Sequence, residues 1–216
     1  MLRLDAVMAD DLSVVNSARI SFAKRVEELG EADINLINYL MRERHGTPFE
    51  HNAFRFHVRC PIFVAREWFR HRIGSFNEFS GRYSEFTQDA YIPEPQDVRT
   101  QTGKPGDYIY EPLEEEAANQ AIKQITKAYD TAFETYRELL SHNVAKELAR
   151  IVLPVGAHTE FYWTVNARSL MNFISLRTAE NAQREIRAFA VGVEEHFAKH
   201  MPHTWQAFND YGRKAP

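Results

Sequence analysis

The densest group of side chains able to bind or transform a ligand lies between residues 66 and 83. Arg66 and Arg70 are four residues apart, so on a helix they share one face and can converge on a single anion. The polar residues of the segment are Arg66, Arg70, His71, Arg72, Ser75, Asn77, Glu78, Ser80 and Arg82, and the aromatic ones are Trp68, Phe69, Phe76, Phe79 and Tyr83. Guanidinium groups for a phosphate, hydroxyl donors beside them and planar groups for a base suit a nucleotide monophosphate.

Two other interpretations of this segment compete with a nucleotide site. A run of charges is usually a solvated face with a few salt bridges. Interleaved arginines and aromatic rings are also typical of a noncatalytic RNA- or DNA-binding module. The formal net charge of -4 argues against general polyanion binding, which needs many cations to neutralise phosphates. We therefore expect neither nucleic acid nor a membrane as a partner.

The residue order from Arg70 to Tyr83 resembles the signature of flavin-dependent thymidylate synthases. In that signature an arginine-histidine-arginine triplet is followed at fixed spacing by serine, glutamate, serine and arginine. Segments similar to the family also occur, in the family's order, at Ala18–Phe22, His45–His51, Ala149–Pro154 and Phe161–Arg177. The resemblance implies reductive methylation of dUMP to dTMP. The carbon donor would be 5,10-methylenetetrahydrofolate, and FAD reduced by NADPH would be the hydride source.

The resemblance also implies a set of site residues. Positions that contact FAD in the family are occupied by Thr47, Arg70, His71, Arg72, Glu78, Asn166, Ala167, Arg168 and Asn172, with Ser21 as a further candidate. The dUMP positions are occupied by Glu67, Arg70, Glu78, Phe79, Ser80, Gly81, Arg82, Arg150 and Arg177. Glu67 stands where the family often has glutamine, and an ionised carboxylate can only accept hydrogen bonds. Arg177 is the implied catalytic residue, a cation that stabilises negative charge on the pyrimidine.

FAD is a dinucleotide, yet the chain contains neither a G-x-G-x-x-G turn nor a G-x-x-x-x-G-K-[ST] loop. Its pyrophosphate would need side-chain cations instead, which Arg70, His71, Arg72 and Arg168 can supply. A flavoprotein that reduces something other than a uridylate would keep the flavin positions without needing Ser80, Arg82, Arg150 and Arg177. All four residues are present.

Cys60 is the single cysteine of the chain, between an expected strand and Pro61. Methylation of uracil at C5 normally requires a nucleophile at C6, for which classical thymidylate synthases use a cysteine thiolate. The apolar surroundings of Cys60 favour packing over catalysis. The flavin route that the resemblance implies uses no enzyme cysteine.

The elements that must position these residues are mainly helical in the first half of the chain. Asp10 or Asp11 is expected to cap a short helix through Ile20, and apolar spacing predicts a helix over Ala32–Arg44 that Gly46 and Pro48 end. Strict alternation from Phe54 to Arg59 predicts a half-buried strand. A helix over Ile62–Arg72 is expected to start after Pro61 and stop at Gly74, with a polar loop behind it.

In the second half, four prolines and two glycines predict a loop over Pro93–Pro112. A long helix follows it through Leu140, and its apolar stripe is typical of core or subunit contact. Asn166 is expected to cap a helix through Leu176, with Arg168 and Asn172 on one face and Arg177 off it. A last long helix is expected over Ala182–Phe197.

The 216 residues are enough for one domain with one substantial core. The family resemblance implies a mixed α/β domain of the α+β type, with a curved antiparallel sheet flanked by long helices. It also implies a homotetramer whose sites are shared between subunits. The single cysteine and the lack of a signal segment or long apolar run predict a cytoplasmic protein. We expect no metal, because Pro202 interrupts the spacing of His196, His200 and His203.

Overall fold

The structure, a computed structural model, describes residues 1–216. Its helices and strands run in the order β1 (Leu2–Met8), α1 (Asp11–Arg19), α2 (Glu31–Arg42), α3 (Thr47–Glu50), β2 (Ala53–Pro61), α4 (Ile62–Trp68), β3 (Ser75–Glu78), β4 (Arg99–Lys104), β5 (Asp107–Pro112), α5 (Glu115–Ser141), α6 (Lys146–Ala149), β6 (His158–Asn166), α7 (Ala167–Arg177), α8 (Arg184–His200) and α9 (Pro202–Asp210). One sheet has the strand order β1-β2-β6-β3, and β4 pairs with β5 in a separate hairpin. The mixed α/β class and the antiparallel sheet are as predicted. None of the helices has both the length and the apolar character needed to cross a bilayer.

The chain divides into two compact units that alternate along the sequence. Unit 1 comprises Met1–Val58, Glu67–Asn77 and Phe161–Pro216, and unit 2 comprises Arg59–Arg66 and Glu78–Glu160. A single domain stays a prediction.

Unit 1 holds β1, most of the other sheet strands and the helices that pack on them. Strands β1 and β2 pair antiparallel, with Leu2 opposite Val58 and Met8 opposite Ala53. The predicted alternation is confirmed, since Phe54, Phe56 and Val58 are fully buried. The core continues through Trp163, whose ring lies 5.8 Å from that of Phe56 and 4.9 Å from that of Phe173. These aromatic contacts fix the spacing between the sheet and α7.

Unit 2 is built around α5, the longest helix. Phe133 and Tyr136 on its apolar stripe are buried, and the Tyr136 hydroxyl accepts a hydrogen bond from the backbone N–H of Phe86 at 3.2 Å. Backbone bonds from Ile62 to Ala157 (2.9 Å) and from Phe63 to Val155 (3.0 Å) connect the start of α4 to the segment before β6.

The structure differs from four of the sequence expectations about elements. Helix α4 ends at Trp68 rather than Arg72, and the expected polar loop after Gly74 contains strand β3. Helix α2 ends at Arg42 rather than Arg44, and Arg44 takes the left-handed conformation, with a φ of 59°. The stretch Pro93–Pro112 is mostly a hairpin, in which Arg99 pairs with Pro112 and Lys104 with Asp107. Its prolines lie outside the paired interior or at the turn, where a missing N–H costs no ladder bond.

Candidate functional site

A cavity of about 660 Å³ opens in unit 1 and collects much of the predicted flavin site. Its lining includes Arg70, His71, Arg72, Arg168, Asn172 and Arg177. The volume lies within the range of about 300–1,000 Å³ that is usual for ligand pockets. Four arginines line the cavity against one acidic side chain, Glu50. The cavity is therefore suited to an anionic ligand.

The arginine-histidine-arginine triplet lies on a turn and not on a helix. Backbone hydrogen bonds from Arg70 to Glu67 (3.2 Å) and from His71 to Trp68 (3.0 Å) form this turn directly after α4. The prediction that Arg66 and Arg70 share one helical face is therefore wrong, and Arg66 does not line the cavity. The side chains of Arg70 and Arg72 are exposed and form no hydrogen bond or ion pair within the chain.

Helix α7 also contributes to the lining of the cavity. The Asn166 side-chain oxygen accepts from the Ser169 N–H at 2.8 Å, which is the predicted cap. Arg168 and Asn172, four residues apart, both line the cavity as predicted. Arg168 donates to the Glu50 carboxylate at 2.6 Å and to the Pro216 backbone oxygen at 2.5 Å. Glu50 was not among the predicted site residues, although it lies in the family-like segment His45–His51.

Arg177, the last residue of α7, is held by two other candidate residues. Its Nε donates to His71 Nε2 at 2.9 Å, and its Nη1 lies 3.1 Å from the Glu67 carboxylate. Burial, and then the charge of Arg177, lower the pKa of His71 to about 4. His71 is consequently neutral near pH 7, so the prediction that it supplies a cation to a pyrophosphate is wrong. As a flavin contact it stays a prediction.

Four predicted flavin contacts of unit 1 do not line this cavity. Thr47 is exposed at the start of α3, and the Asn166 side chain is used as the helix cap. Ala167 is fully buried, and its N–H donates to the Asn52 carbonyl at 2.9 Å. The Asn166 side-chain oxygen and the Ala167 N–H are therefore both already hydrogen-bonded within the chain. Ser21 is exposed in a 3₁₀ turn after α1.

The remaining candidate residues belong to unit 2. Glu78 accepts from the Thr159 hydroxyl at 2.6 Å, and Phe79 packs on Phe86 with ring centroids 5.1 Å apart. Gly81 is needed on steric grounds, because a Cβ there would lie 2.4 Å from the Phe86 ring and 3.2 Å from the Arg150 Cδ.

Around Gly81 the chain brings Ser80, Arg82 and Arg150 together. The Ser80 hydroxyl accepts from the Arg82 N–H at 3.3 Å, and Arg82 Nε lies 3.0 Å from the carboxylate of Glu147. Arg150 Nε donates to the Glu147 backbone oxygen at 3.3 Å. Glu147, which the sequence argument missed, stands three residues before Arg150, and that spacing is the signal that could have found it.

Several aromatic side chains of the segment pack against other rings of the protein. Trp68 is fully buried and stacks on Phe173 at 4.8 Å, and Phe69 contacts Phe76 at 4.9 Å. Tyr83 is 75% exposed and lies beside Arg82. Tyr83 is thus the most exposed of these rings, and Phe69, Phe76 and Phe79 are half-buried.

Comparison with known proteins assigns the chain to a family. The family model described as "Thymidylate synthase complementing protein" matches residues 3–203. A flavin-dependent thymidylate synthase of Thermosipho africanus is 46% identical over 213 residues, which cover 99% of this chain and 92% of that protein. The chain belongs to the flavin-dependent thymidylate synthase family. Another relative of that name, from Tropheryma whipplei, is 44% identical, and the match covers 96% of this chain and 91% of that protein.

A solved structure supports the same family assignment. The UMP/dUMP methylase PolB from Streptomyces cacaoi, bound with 5-Br dUMP, has a TM-score of 0.93 and 44% sequence identity. The match covers 100% of this chain and 97% of the PolB chain. This flavin-dependent thymidylate synthase family member therefore has the fold of its solved relative.

In this family member Cys60 is fully buried at the end of β2. Burial raises the pKa of the Cys60 thiol to about 12. Near pH 7 the residue is a neutral thiol, and only the thiolate is a strong nucleophile. His196 and His200 also have packing contacts, with Phe56 and Phe54 respectively.

Proposed function

We propose that the chain is a flavin-dependent thymidylate synthase that methylates dUMP to dTMP. Its carbon donor is 5,10-methylenetetrahydrofolate, its reductant is NADPH, and its resident cofactor is FAD. The observation that carries the proposal is the cavity of unit 1, whose lining combines the unpaired cations of Arg70 and Arg72 with Arg168. The names of the relatives and of the solved methylase give independent support.

The residues of this cavity fit FAD. A dinucleotide pyrophosphate needs concentrated positive charge, and Arg70 and Arg72 have no internal partner that already neutralises theirs. The start of α7 adds the favourable field of a helix N-terminus beside Ser169. When bound, FAD supplies the redox chemistry of the reaction. Arg70, Arg72, Arg168 and Asn172 would hold the cofactor.

The proposed contacts with the substrate dUMP are those that the resemblance implies. They are Glu67, Arg70, Glu78, Phe79, Ser80, Gly81, Arg82, Arg150 and Arg177. The exposed Arg82–Glu147 ion pair is worth little in water, so a phosphate can replace Glu147 at small cost. Arg177 supplies the cation that stabilises negative charge on the pyrimidine. The enzyme is proposed to act in the cytoplasm as a homotetramer with shared sites.

We also propose that the methylation uses no enzyme thiolate. The burial of Cys60, the single cysteine of the chain, supports this part of the proposal. A buried thiol whose pKa is raised to about 12 is a poor nucleophile at neutral pH. Replacement Cys60→Ala should therefore leave dTMP formation within about threefold of wild type, because it removes only a small apolar group. Loss of turnover in a folded, flavin-bound Cys60→Ala protein would instead favour a mechanism in which the Cys60 thiolate is the nucleophile.

The central test is the absorption spectrum of the purified protein together with an assay for dTMP. We expect oxidised-flavin absorbance, either on purification or after incubation with FAD. We also expect dTMP formation that depends on dUMP, the folate and NADPH. The double variant Arg70→Ala/Arg72→Ala should bind FAD about 10²-fold more weakly, since each charge-assisted contact contributes about 1.5–3 kcal/mol. Arg3→Ala, on the surface of β1, is the matched control. A wild-type protein that stays colourless with added FAD contradicts the proposal.

A further inference from the structure

The Arg177 guanidinium is bonded at all three nitrogens to two neighbouring residues. Its Nε donates to His71 Nε2 at 2.9 Å, its Nη1 to the Glu67 carboxylate at 3.1 Å and its Nη2 to the Glu67 backbone oxygen at 3.4 Å. An arginine carries five N–H groups. Three are used here, so one remains on each terminal nitrogen. Both can be donated to a ligand.

The position of Glu67 needs an explanation, which Arg177 provides. Glu67 stands in the last turn of α4, where the carbonyl ends of a helix disfavour negative charge. Arg177 stands in the last turn of α7, where a cation is favoured. The two side chains are 31% and 21% exposed, so water screens their attraction less than it would at the surface. Their ion pair satisfies a carboxylate that the helix itself does not favour.

The two sides of this contact are fixed by buried aromatic rings. Trp68, next to Glu67, is fully buried and stacks on Phe173 at 4.8 Å. Phe173 stands one turn before Arg177 on α7 and also meets the His71 ring at 4.9 Å. Because these rings hold Glu67 and His71 in place, the two side chains lose little conformational entropy when they bind Arg177.

His71 completes the contact only in its neutral form. Its Nε2 accepts from Arg177, so the proton of the neutral ring lies on Nδ1. A protonated His71 would offer Arg177 a donor and a like charge. Burial and the charge of Arg177 both favour the neutral ring.

We propose that Glu67 and neutral His71 are positioning residues that orient Arg177 and present its two remaining N–H groups to the pyrimidine ring. This role rests on the proposed function. It gives Glu67 a role through Arg177, in addition to any direct contact with dUMP. A glutamine at position 67 could accept the same Nη1 hydrogen bond but would not neutralise the guanidinium.

The kinetic test is a double-mutant cycle on the flavin-loaded enzyme. Glu67→Ala should lower kcat for dTMP formation about tenfold or more, because misorientation of a catalytic group is costly, while the KM for dUMP changes less. Glu67→Gln should recover most of that loss through its amide oxygen. In an Arg177→Ala background, Glu67→Ala should cause no further loss, because the residue it positions is absent.

Glu116→Ala, in the first turn of α5, is the matched control and should leave kcat unchanged. Multiplicative losses from Glu67→Ala and Arg177→Ala would overturn the proposal, since they would show that the two residues act independently. A large rise in the KM for dUMP with an unchanged kcat would also overturn it, in favour of direct substrate binding by Glu67.

A measurement without turnover separates this proposal from the proposed function. The Nε–H resonance of Arg177, assigned by its loss in Arg177→Ala, should exchange slowly with water in the flavin-loaded protein without dUMP. In Glu67→Ala the exchange should be at least tenfold faster, because the side chain is released from one of its two partners. Equal exchange rates would overturn the positioning role. A wild-type protein that shows the slow exchange but makes no dTMP would contradict only the proposed function.

Discussion

At the scale of single residues, the four arginines of the cavity fall into two kinds. Arg70 and Arg72 make no internal bond, so their charges are available to a ligand. Arg168 and Arg177 are held by Glu50 and Glu67 respectively. A free guanidinium suits the capture of a flexible phosphate, whereas a held one has a fixed direction and suits a planar ring.

Replacing Arg177 tests its catalytic role. Arg177→Ala should keep its fold and bound FAD, still oxidise NADPH slowly and lose dTMP formation by about 10²-fold or more, the usual effect of removing one preorganised charge stabiliser. Arg177→Lys should recover only part of the rate, because a point charge cannot make a planar two-pronged contact. The measurement is dTMP formation beside NADPH oxidation. Near-normal dTMP formation by Arg177→Ala would assign the residue to structure and direct attention to Arg82 and Arg150.

His71 predicts a pH dependence of stability. Its pKa is about 4 in the folded chain and 6.5 for the ordinary side chain, so between these values the unfolded chain binds a proton that the folded chain does not. The free energy of unfolding should therefore fall as the pH falls from about 6.5 to about 4. Denaturant unfolding of the flavin-free protein should show a larger loss on acidification for wild type than for His71→Asn.

The exposed His51 offers the matched control for this comparison, and His51→Asn should keep the wild-type difference. An NMR titration of His71 in the intact protein checks the same quantity without a variant. A midpoint near 6.5 would contradict the prediction.

At the scale of elements, the junction from α4 to β3 decides where the arginine triplet lies. The backbone passes so close to β6 at Gly74 that a Cβ would stand 2.8 Å from Trp163 Nε1 and 3.0 Å from the Thr164 carbonyl oxygen. Together with the burial of Trp68, this approach forces the chain out of the helix before Arg70. The triplet consequently faces a cavity from a turn.

Gly74→Ala should destabilise the fold by about 1–3 kcal/mol, because neither a buried indole nor a strand carbonyl can move aside cheaply. Gly192→Ala is the matched control within α8. Its Cβ would meet only the terminal Cδ2 of Leu2 at 2.9 Å, a flexible group, and alanine gains up to about 1 kcal/mol over glycine in a helix. Denaturant unfolding should separate the two variants. Equal stability of Gly74→Ala and wild type would contradict this prediction, because it would show that the junction between α4 and β3 accommodates the added methyl group.

At the scale of the whole molecule, large apolar side chains remain exposed in segments that resemble the family. Phe22, Ile73 and Ile151 are each more than 70% exposed. Several residues of the α5 stripe, including Ile122 and Ile125, are only half-buried. Exposed apolar groups on this scale are usual at protein interfaces.

The active enzyme should therefore be larger than one chain. Light scattering of the flavin-loaded protein should give a mass that is a multiple of 25.1 kDa, with four copies as the expected assembly. Dilution until the mass falls should reduce dTMP formation in parallel, because shared sites are lost with assembly. A fully active particle of 25.1 kDa would refute the homotetramer.

The sequence by itself determined the features that depend on neighbours a few residues apart. The Asn166 cap, the shared face of Arg168 and Asn172 and the alternation of Phe54, Phe56 and Val58 all follow from helical or strand periodicity. The long helix α5 follows from its apolar stripe in the same way. The order of the signature residues also indicated the family, because spacing along a chain is itself sequence information.

Only the tertiary structure decided the features that depend on residues far apart in the chain. Asp11 accepts from the backbone N–H groups of His203 and Thr204 at the start of α9, and no local pattern shows this. The neutral state of His71 depends on burial and on Arg177, more than a hundred residues away. The pairs Glu67–Arg177 and Glu50–Arg168 likewise form only when α4 and α3 meet α7. Charge and solvation at a site are set by what surrounds it in space, and that surrounding exists only once the chain has packed.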